Sequence, residues 1–396
     1  MKRLNNFSVL YFIRKYNDLD HITPILYSIL EKKNNLYLCS LNTHQNFEND
    51  YRVKLLRSKF KNVKFIDYES FFKLNFFEGL KFKINLNYKN RKIVYYFFVL
   101  LNLFLKKVNI NFDPKFKNLA DKFFDIIIFD HFNPEKFTLF SRLLIKLKND
   151  KNKILSLPHG FMLYENPDAF NLILDDFKKI ELFADNIFVT SINWYKLIKK
   201  KISNKKKLTL IGSLRFTNWW KKIIKKKLIT KKNNKIDILI LGSERSRFID
   251  ISKFQKMIDI FDSYQNLNIV FKPPTRTNKV KFVKLPKFIK ISRKHTLELI
   301  EASNTVIANN TSVILDALLK NKTFISPRFL RPKNKKYDLI HETIKSCYVA
   351  NTIEEFEKMI HNRQLLTNSF LINKNKLFKK FIYDHKLTIK KLLSIF

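Results

Sequence analysis

Residues 304–327 read NTVIANNTSVILDALLKNKTFISP, and this stretch decides the fold class. Its first apolar run, Thr305 to Ala308, predicts a short buried strand. Apolar residues three and four apart then predict a helix from Ser312 to Lys320. A second apolar run, Thr323 to Ile325, is followed closely by Pro327. Strand, polar turn, helix and strand in this order form one crossover unit of a parallel sheet.

The turn of this unit carries four polar residues, Asn309, Asn310, Thr311 and Ser312. Backbone N–H groups at a helix start have no partners within the helix, and the helix dipole is positive there. Such a turn can hold a phosphate. Ser, Thr and Asn also cap ordinary helices, and on its own the turn fits capping better. The remaining strand ends are therefore needed to decide between the two.

The composition suits two domains with well-filled cores. The chain has 396 residues, of which 45% are hydrophobic, and a formal net charge of +43. A chain of this length exceeds one ordinary domain. High Lys, Asn, Ile and Phe together with only 4 Gly are typical of AT-rich coding, so part of the charge reflects codon bias. The field still attracts anionic partners such as nucleotides, phospholipid surfaces or nucleic acid.

The sequence predicts a cytoplasmic protein without a cleaved leader. Cys39 and Cys347 are far apart and form no disulfide framework or zinc motif, which fits a reducing compartment. The N-terminus lacks a small-residue cleavage site. The most apolar run, Ile93 to Leu105, is shorter than the roughly 20 residues that span a bilayer. It is interpreted as a buried or interfacial helix within a Phe-rich helical segment, 71–117.

Strand-like runs alternate with helical patterns in two series, which favours a parallel sheet in each half of the chain. A loop from Arg14 to His21 and a helix from Ile22 to Lys32 follow the first strand. The predicted strands are Phe7–Ile13, Leu36–Leu41, Lys64–Asp67, Phe124–Phe129, Lys153–Leu157, Asn186–Thr190 and Leu208–Ile211, then Ile238–Leu241, Asn268–Phe271, Phe288–Ile291, Thr305–Ala308, Thr323–Ile325 and Ser346–Val349.

The fold class expected is α/β, with two Rossmann-like parallel-sheet domains facing a cleft. A basic segment, WWKKIIKKKLITKKNN at 219–234, interrupts the strand pattern and marks the boundary. The domains predicted are 1–230 and 231–372. A helix over 373–396 could cross back to the first domain.

Ligands of open parallel sheets bind at the carboxyl ends of the strands. Three of the four glycines in the chain fall at such positions, where a sharp turn or a close approach to a ligand favours glycine. The residues that follow predicted strands are Asp130, His159, Gly160, Gly212 and Ser213 in the first half, and Gly242, Ser243, Glu244, Lys272 and Asn309 to Ser312 in the second.

Five short motifs occur in one order: LPHG at 157–160, ADNIFVTS at 184–191, GSLR at 212–215, KPP at 272–274 and TSVILD at 311–316. The order resembles the GT-B glycosyltransferases, nearest to the branch of the CDP-glycerol glycerophosphotransferases and related surface-polysaccharide enzymes. The resemblance covers roughly residues 153–327. It implies a metal-independent transferase that uses a nucleotide-activated sugar or polyol donor and no further cofactor.

The sequence departs from that branch at two positions. Leu214 stands where Pro is usual, and Lys272 stands where the branch has His. A Lys binds a diphosphate as a point charge, but it is a poor base near neutral pH. The departure weakens the glycerophosphotransferase assignment more than it weakens the fold.

The resemblance and the strand ends together assign candidate roles. His159 is the candidate general base for an acceptor hydroxyl, against the plainer role of a loop His that bonds backbone. Asp130 is a second candidate base or a support for His159, and a simple loop carboxylate is the plainer role. Glu244 is a candidate ribose ligand. The candidate donor-phosphate ligands are Lys272, Asn310, Thr311, Ser312 and Arg215, the last of which could equally be a surface Arg.

Two further motifs occur in the sequence. Asp18 and Asp20 match the Asp-x-Asp of metal-dependent glycosyltransferases, but they follow the first strand, so no metal is expected. A helix from Trp219 would place Trp219 and Trp220 on an apolar face flanked by lysines. This pattern predicts either docking on an anionic membrane or packing on the domain. Docking would suit a lipid-linked acceptor on the inner face of the cytoplasmic membrane.

The function expected is transfer of a glycosyl or polyol-phosphate group to a surface-polysaccharide or lipid-linked acceptor. A UDP-N-acetylglucosamine 2-epimerase on the same fold is one alternative, although the strand ends offer few carboxylates beyond Asp130 and Glu244. A basic nucleic-acid-binding protein is another, but the lysines are spread over the chain and no binding motif occurs. A scaffold that keeps the fold without the chemistry is a third.

Overall fold

The structure, a computed structural model, describes residues 7–14, 16–41, 47–73, 115–136, 138–158, 171–228, 235–242, 249–274, 283–309, 311–332, 339–364, 366, 373 and 375–378. The chain passes from a first compact unit to a second between Arg215 and Phe216. The transition therefore lies earlier than the expected boundary at residue 230, and Phe216 already packs in the core of the second unit.

The first unit is built on seven parallel strands. Their order across the sheet is β3-β2-β1-β6-β7-β8-β9, so the direction of progression reverses between β1 and β6. The strands are β1 (Ser8–Ile13), β2 (Asn35–Ser40), β3 (Val63–Asp67), β6 (Ile126–Asp130), β7 (Lys153–Leu157), β8 (Asn186–Val189) and β9 (Leu208–Leu210), while β4 (Phe72–Lys73) and β5 (Lys115–Phe116) form a separate antiparallel pair.

The second unit is built on six parallel strands. Their order is β12-β11-β10-β13-β14-β15, and the reversal lies between β10 and β13. The strands are β10 (Ile236–Leu241), β11 (Ile269–Lys272), β12 (Lys290–Ile291), β13 (Ser303–Ile307), β14 (Thr323–Pro327) and β15 (Tyr348–Ala350). Ligand crevices of such sheets form at the reversal point, beyond the carboxyl ends of the strands.

Helices cover the sheets and explain the near-continuous apolar strands, because central parallel strands are buried on both faces. All five residues of β6 are buried, for example. The helices are α1 (Tyr16–Leu30), α2 (Tyr51–Lys59), α3 (Thr138–Leu147), α4 (Asn171–Phe183), α5 (Ile192–Lys199), α6 (Asn218–Leu228), α7 (Ile251–Asp259), α8 (Thr296–Ala302), α9 (Val313–Leu319), α10 (Ile340–Thr343) and α11 (Ile353–His361).

The predicted α/β class with two parallel sheets is confirmed, and each predicted strand overlaps an observed one. The loop predicted at Arg14 to His21 is wrong, because α1 begins at Tyr16. The helix therefore starts six residues before the expected start at Ile22, and Pro24 lies inside it.

Two other expectations need correction. Helix α2 was not predicted, since its apolar residues have no helical periodicity; the carboxylate of Asp50 caps it by accepting from the N–H of Arg52. The segment 71–117 was expected to be helical, but its described ends pair as the strands β4 and β5. Residues 74–114, with the apolar run Ile93 to Leu105, lie outside the described residues, as does most of the predicted C-terminal helix.

Candidate functional site

An ion pair occupies the reversal point of the first sheet. Arg14 follows β1 and Asp130 ends β6, the strand beside it. Nε of Arg14 donates to Oδ1 and Oδ2 of Asp130 at 3.2 and 3.1 Å, and Nη2 donates to Oδ2 at 2.5 Å. The Asp130 side chain is fully buried. The guanidinium also lies 4.8 Å from the centre of the Phe132 ring. The carboxylate of the pair is thus fully desolvated, while the Arg14 side chain remains 16% exposed.

This pairing bears on the roles expected for Asp130. Its carboxylate is occupied by the guanidinium of Arg14, so positioning is the role that its contacts favour over proton abstraction. Arg14 was missed in the sequence, although an arginine directly after a buried strand was visible there. His159 and Gly160 lie outside the described residues.

A second charged cluster lies near the start of α1. The Arg52 guanidinium, 8% exposed, contacts Asp20 at 2.5 Å and Asp50 at 2.6 Å. Burial alone would lower the pKa of Arg52, but the two carboxylates outweigh it and raise that pKa. Arg215 Nη1 lies 3.5 Å from the other oxygen of Asp20. Asp20 is therefore engaged by two arginines, and Arg215, the expected phosphate clamp, already faces a carboxylate.

The Gly212 turn brings the end of the first unit toward the same cluster. Gly212 has a φ of 72°, in the left-handed region that disfavours side chains. The next residue, Ser213, is buried, and its Oγ lies 3.4 Å from Nδ1 of His21 on α1. Backbone geometry is therefore sufficient to explain glycine at 212, with no ligand required.

The second sheet differs at its carboxyl edge, where Lys272 ends β11. The residue is only 8% exposed, and burial lowers the pKa of its ammonium. None of the ion pairs formed among the described residues includes it. Lys272 pairs in register with Leu241, and Ile240 pairs with Ile307. Lys272 and the end of β13 therefore stand about two strand spacings, or ~10 Å, apart.

The polar turn after β13 lies on the same face of the sheet as the Lys272 side chain. Side chains alternate along a strand, so Lys272 shares a face with Val270, which packs in the core that α9 covers. At the start of α9, Thr311 Oγ1 accepts from the N–H of Val313 at 3.3 Å. The side chain of Ser312 makes no capping hydrogen bond. Helix capping therefore explains the hydroxyl of Thr311 but not that of Ser312.

The glycine after β10 is explained by packing within the protein. A Cβ at Gly242 would lie 2.8 Å from Cζ of Phe271 and 3.2 Å from Cδ of Pro274. The close approach expected between this glycine and a ligand is therefore an approach between two strand ends. Ser243 and Glu244, and Asn310 of the polar turn, lie outside the described residues.

A small apolar pocket opens at the same edge. It lies where β10, β13 and β14 end, directly beside the polar turn. Its lining includes Leu241, Ile307, Ala308, Asn309, Pro327 and Leu330. The rest of its lining includes Phe254 and Met257 of α7, so most of the pocket belongs to the core on the α7 side of the sheet, whereas Lys272 lies on the α9 side.

A buried polar group beyond β14 was also missed in the sequence. Glu342 on α10 accepts from Ser326 Oγ at 2.6 Å and pairs with Arg331. His341 beside it is 1% exposed, and burial lowers its pKa to about 4. This group is internally paired and lies inside the second unit. It anchors the end of β14 rather than offering charge to a ligand.

Helix α6 does not present the tryptophan face that membrane docking would require. Trp220 and Ile224 are buried, at 5% and 4% exposed. Lys225 of the same helix pairs with Glu301 at 3.0 Å. The packing alternative is therefore correct for the apolar stripe, and Trp219 is only partly accessible beside its neighbour.

Metal-binding clusters and membrane-spanning helices are both absent from the described residues. No group of three or more His, Cys, Asp or Glu side chains in that part of the chain could hold a metal ion. Within the same residues, no helix has the length and apolarity to cross a bilayer.

Comparison with known proteins places the fold. No protein-family model matches the chain, and no curated protein matches it. Solved structures do match, and three of them, with TM-scores of 0.54 to 0.58, illustrate the likeness. The S. aureus MnaA–UDP complex is 10% identical with a TM-score of 0.58, over 98% of this chain and 95% of that one.

The other two matches are of similar extent. The UDP-GlcNAc 2-epimerase of Methanocaldococcus jannaschii is 12% identical with a TM-score of 0.56, over 98% of this chain and 99% of that one. The glycotransferase of kitacinnamycin is 8% identical with a TM-score of 0.54, over 99% and 98%. At such identities the likeness concerns the fold alone, and that fold is GT-B.

Proposed function

We propose that this protein is a transferase that uses a nucleotide-activated donor and binds the donor diphosphate at the carboxyl edge of its second sheet. The observation that carries the proposal is the ammonium of Lys272, buried at that edge without a carboxylate partner among the described residues. Burying a cation without a counter-charge is costly. An incoming diphosphate would supply that charge.

The neighbouring groups support an anion at this position. The Ser312 hydroxyl makes no capping hydrogen bond, so it can donate to a phosphate oxygen. Lys272 would neutralise charge that develops on the leaving nucleotide diphosphate. Thr311 and Asn310 would complete the phosphate ligands. Gly242, Ser243 and Glu244 remain proposed for the nucleotide side of the site.

The acceptor side remains proposed on His159, as the base that takes the proton from an acceptor hydroxyl. Asp130 would act from a distance, by holding Arg14 and shaping the edge. Arg215 would reach a phosphate only by leaving Asp20. The transferred group is proposed to be a glycosyl or polyol phosphate, and the acceptor a surface polysaccharide or lipid-linked chain.

The structural likenesses favour a nucleotide-sugar substrate. One matched structure holds UDP, and the others are a glycotransferase and an enzyme that acts on UDP-GlcNAc. The likeness to the UDP-GlcNAc 2-epimerase favours one rival function, that of a sugar-nucleotide 2-epimerase. That reaction needs groups that remove and return a proton at the sugar C2. Of the candidate acids, Asp130 is held by Arg14 and Glu244 lies outside the described residues.

The deciding experiment is a thermal-shift panel of UDP, CDP, GDP and CMP derivatives on the wild type, Lys272→Met and Lys322→Met. Met keeps the length of the side chain and removes the charge. Lys322 is a matched control, because burial also lowers its pKa but its ammonium donates to the Glu301 carbonyl oxygen at 2.9 Å. We expect nucleotides to stabilise the wild type and the control, and not Lys272→Met.

Two results would count against the proposal. If no nucleotide stabilises the wild type, the donor site is absent. If Lys272→Met keeps the full shift, the diphosphate lies elsewhere. The reaction class is settled separately by incubating the protein with UDP-GlcNAc and separating the products. Epimerised nucleotide sugar formed without an acceptor would replace the transferase assignment by the epimerase.

A further inference from the structure

Three large apolar side chains project into solvent at the amino end of the first sheet. Phe123 precedes β6 and is 45% exposed, Ile145 near the end of α3 is 65% exposed, and Leu182 near the end of α4 is 62% exposed. Soluble surfaces scatter such residues singly, whereas clustered ones mark a contact surface. Their position is opposite to the carboxyl edge that bears Asp130 and Gly212.

Side-chain contacts join the segments that carry these residues. Lys146, next to Ile145, pairs with Asp121 at 2.7 Å, close to Phe123. Lys148 pairs with Asp185 at 3.6 Å, just beyond Leu182. The loop before β9 contacts the end of α4, because Lys207 Nζ donates to the Glu181 carbonyl oxygen at 2.8 Å. The three apolar side chains therefore lie on segments that are connected at the amino edge of the first sheet.

Exposed lysines surround the apolar side chains. Residues 199–207 read KKKISNKKK, with six lysines and no acid. Two nearby acids are held internally: Glu181 accepts from the backbone N–H of Ser203 at 2.8 Å, and Asp185 from that of Ile154 at 2.7 Å. Two others are exposed, Asp121, which pairs with Lys146, and Asp150, and the lysines outnumber them. The basic edge is defined as Phe123, Ile145 and Leu182 with the exposed lysines 122, 146, 148, 151, 153, 199, 200, 205 and 206.

We propose that the basic edge docks this protein on an anionic phospholipid bilayer. Lysines near such a surface each contribute about 1 kcal/mol of attraction, and apolar side chains among them can enter the boundary between head groups and acyl chains. A nucleic acid would satisfy the lysines equally well. It would give Ile145 and Leu182 nothing, because aliphatic side chains gain little from a phosphate backbone.

The proposal moves membrane contact away from helix α6, whose Trp220 is buried. It also separates docking from the donor site. The donor site is proposed in the second unit, and the basic edge lies in the first, so substitutions in one should leave the other intact.

Sedimentation with vesicles tests the proposal. The full chain is mixed with vesicles of phosphatidylcholine alone, or with about one-third phosphatidylglycerol, at about 0.1 M salt. The variant is Ile145→Glu/Leu182→Glu, and the matched control is Ile291→Glu, which changes a 55% exposed isoleucine of the second unit. All three positions are exposed, so the substitutions spare the core. Binding of a fluorescent single-stranded DNA is measured alongside.

We expect the wild type and the control to bind only the anionic vesicles, and the double variant to bind them at least about tenfold more weakly. DNA binding by that variant should fall much less than its vesicle binding. The proposal is overturned if the wild type ignores anionic vesicles or if the double variant binds them as the wild type does. Equal losses of vesicle binding and DNA binding would also overturn the proposal, because the two added negative charges alone would then explain both losses.

Discussion

The carboxyl edges of the two sheets handle charge in opposite ways. In the first unit, the guanidinium of Arg14 closes on Asp130, and that of Arg52 on Asp20 and Asp50. In the second unit, Lys272 is equally buried, yet no described residue pairs with it. Two sheets of the same type thus have ion pairs at the carboxyl edge of one and, at the edge of the other, a lysine that forms no ion pair with a described residue.

Under the proposed function, this difference separates residues that hold the fold from a residue that binds the donor. Burying an ion pair costs desolvation free energy, and removing only one of its two charges destabilises the fold further. A lone buried cation costs stability in the absence of a ligand, and it persists where binding makes use of it. The comparison therefore predicts opposite effects when a cation is removed from each edge.

The largest expected effect is at the first edge. Arg14→Met leaves the Asp130 carboxylate buried without the guanidinium that neutralises it, which should lower the free energy of unfolding by about 3–5 kcal/mol. Urea denaturation measures the loss. Arg14→Met/Asp130→Asn, which removes both charges, should recover most of it. A double variant as unstable as the single one would mean that packing against Phe132, and not charge, is what Arg14 supplies.

The buried His341 provides a pH test of charge inside the second unit. Its pKa is about 4 in the folded protein, against an ordinary value of 6.5. Below pH 6.5 the unfolded chain takes up a proton that the folded protein refuses, so stability falls as pH drops toward 4, by about 3 kcal/mol in all. NMR titration of the imidazole should find this low pKa, and His341→Gln should show a flatter loss of stability across that window. A titration near 6.5 would contradict the prediction.

Gly212 tests backbone strain at the end of the first unit. A side chain at φ 72° costs about 1–2 kcal/mol, so Gly212→Ala should lower the free energy of unfolding by that amount. Gly212→Asn should cost less, because Asn tolerates the left-handed region better. Chemical denaturation of both variants checks the order. If Ala proves no worse than Asn, steric contact rather than backbone conformation limits this position.

The smallest effect is at the second edge and has the opposite sign. Lys272→Met should raise the free energy of unfolding of the ligand-free protein by about 1 kcal/mol, because it removes a desolvated charge. The lowered pKa of Lys272 means that the unfolded chain holds its proton to higher pH. Stability of the wild type should therefore rise toward pH 10.5, and its difference from the variant should shrink. A destabilised variant would show that Lys272 has a partner within the protein.

The fold was predictable because strands that are buried on both faces have continuous apolar sequences. The run FDIIIF before Asp130 is one such case. Helix ends were less predictable, because local contacts set them. Helix α1 continues through Pro24, and α2 depends on the cap at Asp50.

The candidate site was predictable only in part. Lys272 and Ser312 were found because each follows a buried strand directly. The partners of Asp130 and Asp20 were not found, because the order of strands in the sheet brings them together. Arg14 and Asp130 are 116 residues apart in the chain, and nothing in the sequence gives the pairing of β1 with β6.

The Arg14–Asp130 pair also constrains how this chain can diverge. A substitution at either position alone strands a buried charge, so single changes there should be removed by selection. Changes that replace both residues, or exchange their places, avoid that penalty. Among descendants of this sequence, the two positions should therefore change together, and their joint history would record the contact between β1 and β6 independently of any structure.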